Sequence, residues 1–439
     1  MPGPRPALDR WSLMAVLLGT ATVPLDSAVN VAFPHITAHF GLPIEMIQWV
    51  VISYTLASAS LVLVFGRVGD IAGHRRIFLI GTAWSAAAFL LETAAPSFGW
   101  LLGGRVLQGV GAGLVMSCGP ALVMSLYPEA RRSRAVALYT IAFGVGGALG
   151  PVAAGLLLAR FDWSCVFWAR APLALLGLLL GLRLPSDHRT GTGTAPRFDW
   201  AGAILLVLAL CGLLLALGNV RRPIWAGSGA AFALLTGALF VRREERTPSP
   251  IVKLTLFREP DFALLNAGSV LVNLAGFAVL LLVPFALASL AHLTEVERGL
   301  VLAASPAAIA LAAPVAGRVL GRGAAWPLAG GALLAGIGLL AIGLRGASVP
   351  LLVAAMFVQG FGVGLFQVAY LDRVTAAVPR GDRGVAGSLA MLTRTLGIVF
   401  GAAVLMLIFQ SVGFTTTFLI ASALPLALAA IWLLRPQPR

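Results

Sequence analysis

The sequence has 439 residues, of which 59% are hydrophobic and only 11% are charged, whereas soluble domains carry about 25% charged residues. A chain of this composition cannot cover its apolar side chains with polar surface, so an ordinary soluble protein is excluded and lipid is the expected solvent. The formal net charge of +14 is also found in nucleic-acid-binding proteins, but the distribution of the basic residues argues against that class.

Fourteen apolar segments follow one another along the chain, each of about the 20 residues that a membrane-spanning helix requires. In chain order the predicted spans are 11–34, 47–66, 77–95, 98–125, 134–158, 163–182, 199–218, 224–241, 262–290, 297–317, 325–344, 349–371, 385–409 and 414–434. Two longer connections, 183–199 and 242–261, are rich in Pro, Gly and charged residues, which is typical of linkers. The sequence therefore predicts an all-α integral membrane protein with 14 transmembrane helices.

The basic residues are unevenly divided between the two sides of these spans. If the N-terminus is cytoplasmic, 23 Lys and Arg residues lie in cytoplasmic segments and 5 in external loops. Because positive charge concentrates on the cytoplasmic side, both termini are expected there, in a multi-pass protein of the cytoplasmic (inner) membrane. The positive charge then faces anionic lipid, and no nucleic-acid partner is expected.

The chain contains an internal repeat at a constant offset of 251 residues. QGVGAGL at 108–114 recurs as QGFGVGL at 359–365, and GRV at 66–68 recurs at 317–319. Duplicated helical bundles are the architecture of transporters that move around a central site. The predicted organisation is an N-terminal six-helix bundle, two inserted helices with cytoplasmic linkers, and a C-terminal six-helix bundle, at 1–182, 183–261 and 262–439.

The first span contains an aspartate, Asp26, about 15 residues from its start, or roughly 22 Å into the helix. A carboxylate at that depth costs about 3 kcal/mol on insertion scales, so it is expected to have a function or a partner. Thr22, Asp26 and Asn30 recur at i, i+4 and i+8, which predicts one polar stripe facing the bundle interior. Arg105 lies at a similar depth in the fourth span and is expected to face Asp26. The pair has two interpretations: a proton-coupling site, or a structural ion pair that locks the two helices.

A second pair of intramembrane charges lies in the third and sixth spans. Glu92 and Arg170 have matching depths, and intramembrane charges tend to pair. We favour a structural role for Arg170, either in an ion pair with Glu92, Asp162 or Asp26 or with its side chain snorkelling outward. The other interpretation places Arg170 in the cavity, where it would bind an anionic group.

Five segments, in chain order, resemble the motifs of one known family. LDSAVNVAFP at 25–34, GRVGDIAGHRR at 66–76, RVLQGVGAG at 105–113, GGALGPVAAG at 146–155 and FDWAGA at 198–203 are similar to those of the fourteen-helix drug:proton antiporters of the major facilitator superfamily. The resemblance spans nearly the whole chain. It implies the major-facilitator fold, with two pseudo-symmetric six-helix bundles and two inserted helices.

The resemblance also implies roles for individual residues. Asp26 and Arg105 would couple transport to protons. A conformational latch at the loop between helices 2 and 3 would comprise Gly66, Asp70, Gly73, His74 and Arg75. The antiporter motif of helix 5 would comprise Gly146, Gly150, Pro151 and Gly155. The chain departs from the family pattern at Arg170, where asparagine is usual.

Uncharged polar residues on the interior faces of several spans are predicted to line a permissive substrate cavity. Together with one arginine they are Thr22, Asn30, Gln108, Asn266, Asn273, Gln359, Gln367 and Arg394. The alternative is that these side chains serve packing between helices. For Arg394 the two interpretations are a position in the cavity and the capping of backbone carbonyls.

These observations predict a proton-coupled secondary exporter of lipophilic or amphipathic small molecules, similar to multidrug efflux proteins. Its expected partners are a small-molecule substrate, protons and the lipid bilayer, and a monomer is expected. No cofactor, metal or enzymatic activity is expected, because no catalytic constellation or nucleotide-binding loop stands out. One alternative is an exporter of a specific anionic metabolite or lipid, since Arg105, Arg170 and Arg394 outnumber Asp26. A non-transporting receptor or scaffold is less favoured, because the longest loops are too short for a sensor domain.

Overall fold

The computed structural model describes residues 10–127, 132–184, 199–219, 222–247, 254–290, 292–319, 326–344, 348–378 and 383–434. All regular structure in these residues is helical, as the sequence predicts. Eleven segments of this described part are long and apolar enough to cross a membrane, and two shorter apolar helices span Cys165–Gly181 and Trp200–Leu213. Eleven rather than fourteen meet the length criterion, because the described apolar parts of the sixth and seventh predicted spans are shorter than the criterion and the last two predicted spans form one continuous segment.

The described residues fall into two compact units. The N-unit contains those up to Pro196 together with Thr294–Gly299, and the C-unit contains those from Arg197 to Leu293 and from Leu300 onward. The helices that begin in the N-unit's first segment are α1 (Arg10–Ala21), α2 (Ser27–Val31), α3 (Phe33–His39), α4 (Gln48–Ala72), α5 (His74–Thr93), α6 (Phe98–Ser125), α7 (Arg132–Leu158), α8 (Cys165–Trp168) and α9 (Ala171–Gly181). The remaining helices are α10 (Trp200–Gly218), α11 (Pro223–Glu244), α12 (Pro260–Ala288), α13 (Glu295–Val319), α14 (Trp326–Leu344), α15 (Val349–Ala376) and α16 (Arg383–Leu434).

The first predicted span is not one continuous helix, and this corrects the sequence prediction. Helix α1 ends at Ala21, a 3₁₀ turn follows at Pro24–Asp26, and α2 begins at Ser27. Pro24 explains the break, because proline lacks a backbone N–H and its ring clashes with the carbonyl four residues earlier. The polar stripe predicted for Thr22, Asp26 and Asn30 assumed an unbroken α-helix, whereas the 3₁₀ turn lies between Thr22 and Asn30.

The last two predicted spans are joined in α16, which has 52 residues. An unbroken helix of that length would extend about 78 Å, far beyond the roughly 30 Å hydrocarbon core of a bilayer. The segment is divided at Gly413, which has φ 75° and a non-helical conformation. Glycine tolerates this positive φ without the steric penalty of a side chain, so the chain changes direction there.

The internal repeat is reproduced in the packing of each unit. A Cβ at Gly111 of α6 would lie 3.2 Å from the carbonyl oxygen of Gly81 in α5. At the repeat-equivalent Gly362 of α15, a Cβ would lie 2.7 Å from the carbonyl oxygen of Gly331 in α14. Both helix pairs therefore rely on glycine for close backbone approach, as is common between helices in membranes.

Helices α10 and α11 pack against each other within the C-unit, and Asp199 ties their ends together. The Asp199 carboxylate caps α10 by accepting from the backbone N–H of Gly202 at 3.0 Å. It also binds Nε of Arg243 at 2.6 Å and the hydroxyl of Thr247 at 3.3 Å. Burial raises the pKa of Asp199, but the hydrogen bonds from Gly202 and Arg243 outweigh it, so this pKa lies below its ordinary value.

We expect Asp199→Ala to lower stability by about 1–2 kcal/mol, because it removes a helix cap and a partly exposed ion pair. Asp199→Asn is the matched control, since asparagine caps helices as well as aspartate does but loses the charge. The thermal unfolding midpoint of the purified protein should follow the order wild type, Asn, Ala.

The stabilisation by Asp199 also has a defined pH dependence. Because its pKa is lowered in the folded state, the stabilisation is present above the ordinary aspartate pKa of about 3.9. It is lost as the pH falls through the lower folded-state pKa. Equal unfolding midpoints for the Ala variant and the wild type above that range would contradict this role.

Candidate functional site

The site centres on the carboxylate of Asp26, which lies in the 3₁₀ turn between α1 and α2. Its Oδ1 accepts from Nη1 of Arg105 at 2.6 Å and its Oδ2 accepts from Nη2 of Arg105 at 2.8 Å. Nε2 of Gln108 donates to Oδ1 at 2.9 Å, and Nη1 of Arg170 donates to the same oxygen at 2.7 Å. The predicted pairing of Asp26 with Arg105 is formed, and a second arginine is added to it.

Arg105 is held in position by α4 and by its own helix, α6. Its side chain is 1% exposed, its Nε donates to the carbonyl oxygen of Val50 at 2.9 Å, and its Nη1 also donates to Oε1 of Gln108. Its guanidinium lies 4.4 Å from the centroid of the Tyr54 ring, an attractive cation–π arrangement. The bidentate pair with Asp26 fixes distance and orientation together, which a lysine could not do.

Arg170 approaches Asp26 from an interruption in the sixth predicted span, where α8 ends at Trp168 and α9 begins at Ala171. Its Nε donates to the carbonyl oxygen of Val166 at 2.9 Å. Its guanidinium lies 4.5 Å from the centroid of the Phe89 ring. Nη2 of Arg170 is buried and has no hydrogen-bond partner in the described part of the chain.

The predicted ion pair between Glu92 and Arg170 is not formed. Arg170 binds Asp26 instead, one of the alternative partners that the sequence left open. Glu92 is completely buried, and neither of its carboxylate oxygens has a hydrogen-bond partner among the described residues. The reason is geometric: the breaks before α2 and α9 allow Asp26 and Arg170 to meet, which a comparison of depths along straight helices does not reveal.

The glycines of helix α7 pack against the broken part of the first predicted span. A Cβ at Gly146 would lie 2.8 Å from Cγ of Pro24, and a Cβ at Gly150 would collide with Oγ of Ser27. The Ser27 hydroxyl donates to the carbonyl oxygen of Gly147 at 2.9 Å. The predicted antiporter motif thus lies directly behind the turn that carries Asp26.

Two further residues of that motif lie in the second half of α7. Pro151 is inside the helix. A Cβ at Gly155 would lie 2.5 Å from the carbonyl oxygen of Glu295 and 3.1 Å from Cα of Gly299. The segment Thr294–Gly299 belongs to the N-unit. Within this unit, the end of α7 therefore packs closely against the first turn of α13.

The predicted latch is only partly covered by the described residues. Gly73 follows the last residue of α4 with φ 95°, a conformation that favours glycine, and His74 begins α5. Nη2 of Arg75 donates to the carbonyl oxygen of Leu182 at 2.8 Å. Gly66 lies within α4, while the side chain of Asp70 lies outside the described part, so its role remains a prediction.

The polar residues predicted for the cavity differ in whether their side chains form hydrogen bonds within the protein. Thr22 is buried and donates to the carbonyl oxygen of Gly19 at 2.6 Å, and Gln108 belongs to the Asp26 cluster. Asn30 is half-buried. The first two side chains thus satisfy groups of the protein itself.

In the C-unit, all four predicted amides form hydrogen bonds with other side chains. The Tyr370 hydroxyl donates to Oδ1 of Asn266 at 2.9 Å, Nε2 of Gln367 donates to Oδ1 of Asn273 at 3.1 Å, and the Ser305 hydroxyl donates to Oε1 of Gln359 at 2.8 Å.

Gln367 and Arg394 are half-buried. Arg394 forms no hydrogen bond or ion pair with the residues that the structure describes, so it does not cap backbone carbonyls there.

Two members of the site were missed by the sequence reasoning. Tyr54, which lies beside Arg105, is one of only 4 tyrosines in the chain, and an aromatic hydroxyl within an apolar span was a usable signal. The backbone carbonyl of Val50 also binds Arg105. No residue-type pattern could have indicated that contact, because every residue carries a carbonyl.

The duplicated helical fold and the buried, partly accessible ion cluster together define a multi-span transporter of small molecules in a cell membrane. The chain matches the Major Facilitator Superfamily over residues 16–286 and 265–439, and it belongs to this superfamily. It is a transporter rather than an enzyme.

Two curated relatives and one solved structure illustrate the match. The multidrug resistance protein Stp of Mycobacterium tuberculosis is 32% identical over 90% of this chain and 74% of its own length. The tetracenomycin C resistance and export protein of Streptomyces glaucescens is 31% identical over 90% of this chain and 74% of its own length. A POT family transporter crystallised with 5-aminolevulinic acid shares the fold, with a TM-score of 0.73 and 16% identity over 96% of this chain and 94% of its own. These sequence relatives place the chain with the drug:proton antiporter-type transporters.

We expect Gly150→Ala to reduce transport strongly, because its Cβ would collide with Ser27 and lie 3.0 Å from the backbone nitrogen of Ala28. Overpacking of this kind costs about 1–3 kcal/mol. Gly147→Ala is the matched control, since its Cβ would lie 3.9 Å from Pro24, an ordinary contact. Transport rates in proteoliposomes that are equal for Gly150→Ala and Gly147→Ala would show that α7 does not position the Asp26 turn.

Proposed function

We propose that this protein is a proton-driven exporter of lipophilic or amphipathic small molecules. The observation that carries the proposal is the Asp26 carboxylate, whose side chain is 16% exposed while those of Arg105 and Arg170 are 1% and 4% exposed. The acidic group is thus the accessible member of an otherwise buried cluster. It can exchange a proton, whereas the arginines keep their charge.

The coupling follows from competition for this carboxylate. An external proton on Asp26 weakens its charge-assisted bonds to Arg105 and Arg170, each worth about 1.5–3 kcal/mol, and favours release of substrate outward. After the return to the inward state, the proton leaves and substrate binds again. The driving force is about 2.3 kcal/mol per charge per 100 mV and about 1.4 kcal/mol per pH unit.

The curated relatives support an export function through their names, which include multidrug resistance and tetracenomycin C resistance and export. We further propose fourteen spans, counting the two short apolar helices and dividing α16 at Gly413. The proposed organisation remains two six-helix bundles at 1–182 and 262–439 around two inserted helices. Both termini are proposed to be cytoplasmic, and the transporter is proposed to act as a monomer.

The direct test is accumulation of a fluorescent probe in proteoliposomes under an imposed gradient of one pH unit, which supports about tenfold accumulation per proton. The probes are ethidium as a lipophilic cation, Nile red as a neutral molecule and anilinonaphthalenesulfonate as an anion. We expect the wild type to accumulate at least one of them, and Asp26→Asn to lose this accumulation, because asparagine cannot exchange a proton.

The matched control is Glu45→Gln, which removes a half-buried carboxylate outside the cluster and should accumulate the probe normally. Asp26→Glu keeps a titratable group and guards against a folding defect in the Asn variant. If Asp26→Asn concentrates the probe as well as the wild type, or if no probe responds to the gradient, the proposal is wrong.

A second candidate function, export of an anionic metabolite or lipid, is favoured by one specific observation. In the N-unit, Asp26 is shared by two arginines and Nη2 of Arg170 has no partner. In the C-unit, Arg394 is half-buried and makes no ion pair with the described residues. A guanidinium nitrogen without a hydrogen-bond partner and an arginine without an ion pair among the described residues favour a substrate that carries negative charge.

The three probes separate the two candidates. Export of anions predicts that anilinonaphthalenesulfonate is transported fastest and that Arg394→Gln slows it by about tenfold, since a charged hydrogen bond is worth about 1.5–3 kcal/mol. Fastest transport of ethidium with no effect of Arg394→Gln would exclude the anionic candidate.

A further inference from the structure

Glu92 is a second acidic residue of the cluster, and the proposed transport cycle gives it no role. It lies in the last turn of α5, is completely buried, and has no partner for either carboxylate oxygen within the described residues. Its side chain packs on α6 one residue before Arg105, since a Cβ at Gly104 would lie 2.7 Å from Cγ of Glu92.

The charged and titratable groups around Glu92 come from every element packed against α5. They are Tyr54 from α4, Arg105 from α6, Arg170 from the junction of α8 and α9, and Asp26 from the adjoining turn. Phe89, one turn earlier on α5, lies against the guanidinium of Arg170. Glu92 and Arg170 therefore belong to the same cluster, although they are not hydrogen-bonded to each other.

An ionised carboxylate without a hydrogen bond or ion pair is very costly in such a buried position, and a group in that situation neutralises instead. Glu92 therefore carries a proton in the arrangement that the structure shows. Nη2 of Arg170 is also buried without a partner. The donor that an ionised Glu92 would need is thus already present, on the same guanidinium that binds Asp26.

We infer that Glu92 is a second proton-binding site, and that Arg170 pairs with Asp26 when Glu92 is protonated and with Glu92 when Asp26 is protonated. This inference rests on the proposed proton coupling and adds a second site to it. In the exchange, an O–H bond of Glu92 breaks and an O–H bond of Asp26 forms, while both arginines keep their protons. One carboxylate is ionised before and after, so the net charge of the cluster does not change.

The exchange makes an unusual prediction for infrared spectroscopy of the purified protein at neutral pH. The wild type should show the C=O band of a buried, protonated carboxylic acid, and Glu92→Gln should lack it. Asp26→Asn should lack it as well, because asparagine resembles a protonated aspartate and releases Arg170 to pair with an ionised Glu92. Glu45→Gln is the matched control and should retain the band.

Two infrared results would overturn the inference. A band unchanged in Glu92→Gln would show that Glu92 carries no proton. A band lost in Glu92→Gln but retained in Asp26→Asn would show that the two carboxyl groups do not exchange Arg170. Thermal unfolding midpoints of both variants, measured on the same samples, check that the fold is intact.

Accumulation of the same probe under a gradient of one pH unit separates this inference from the proposed function. We expect Glu92→Gln to lose the roughly tenfold accumulation that one proton supports, and Glu92→Asp to restore part of it. If Asp26→Asn loses accumulation but Glu92→Gln does not, the second site is wrong and the proposed function stands. If both variants accumulate the probe normally, the proposed function fails as well.

Discussion

The structure depends on one carboxylate, that of Asp26, which is bound by two arginines inside an apolar bundle. Removing it would leave Arg105 buried without its ion-pair partner, and breaking a buried ion pair in this way costs about 3–5 kcal/mol. The same low-dielectric surroundings make protonation of Asp26 a large perturbation, since both arginines bind this carboxylate. The interaction that joins the Asp26 turn to α6 and to the junction before α9 is therefore also the one that we propose a proton weakens.

This arrangement requires irregular backbone at the site. Asp26 lies in a 3₁₀ turn and Arg170 at the interruption before α9, and discontinuous helices at binding sites are a recurring feature of transporters. The glycines of α7 pack closely behind the first of these breaks. The C-unit has no such ion pair at the equivalent positions. The residues that correspond to Asp26 and Arg105 in the repeat are Phe277 and Met356, both buried and apolar.

Much of the fold and part of the site could be predicted from the sequence. Composition and hydropathy predict the helical membrane class. The constant repeat offset predicts duplicated helical bundles, and the repeat-equivalent Gly111 and Gly362 both make close contacts with the neighbouring helix. The pairing of Asp26 with Arg105 follows from their depths. The pairing of Asp26 with Arg170 was only one of several alternatives. Depth along a helix gives the position of a residue across the membrane but not the direction of its side chain, and a break in the helix changes that direction. Pro24 is the feature of the sequence that indicates this break.

We propose that substrate and protons move in opposite directions through a site controlled by Asp26. The most direct measurement uses proteoliposomes with no imposed pH gradient and a pH-sensitive dye inside, to which the probe transported fastest is added outside. As the probe moves inward down its own gradient, the account predicts that protons move outward and that the lumen becomes alkaline. Probe entry without any change in internal pH, or with acidification, would contradict it.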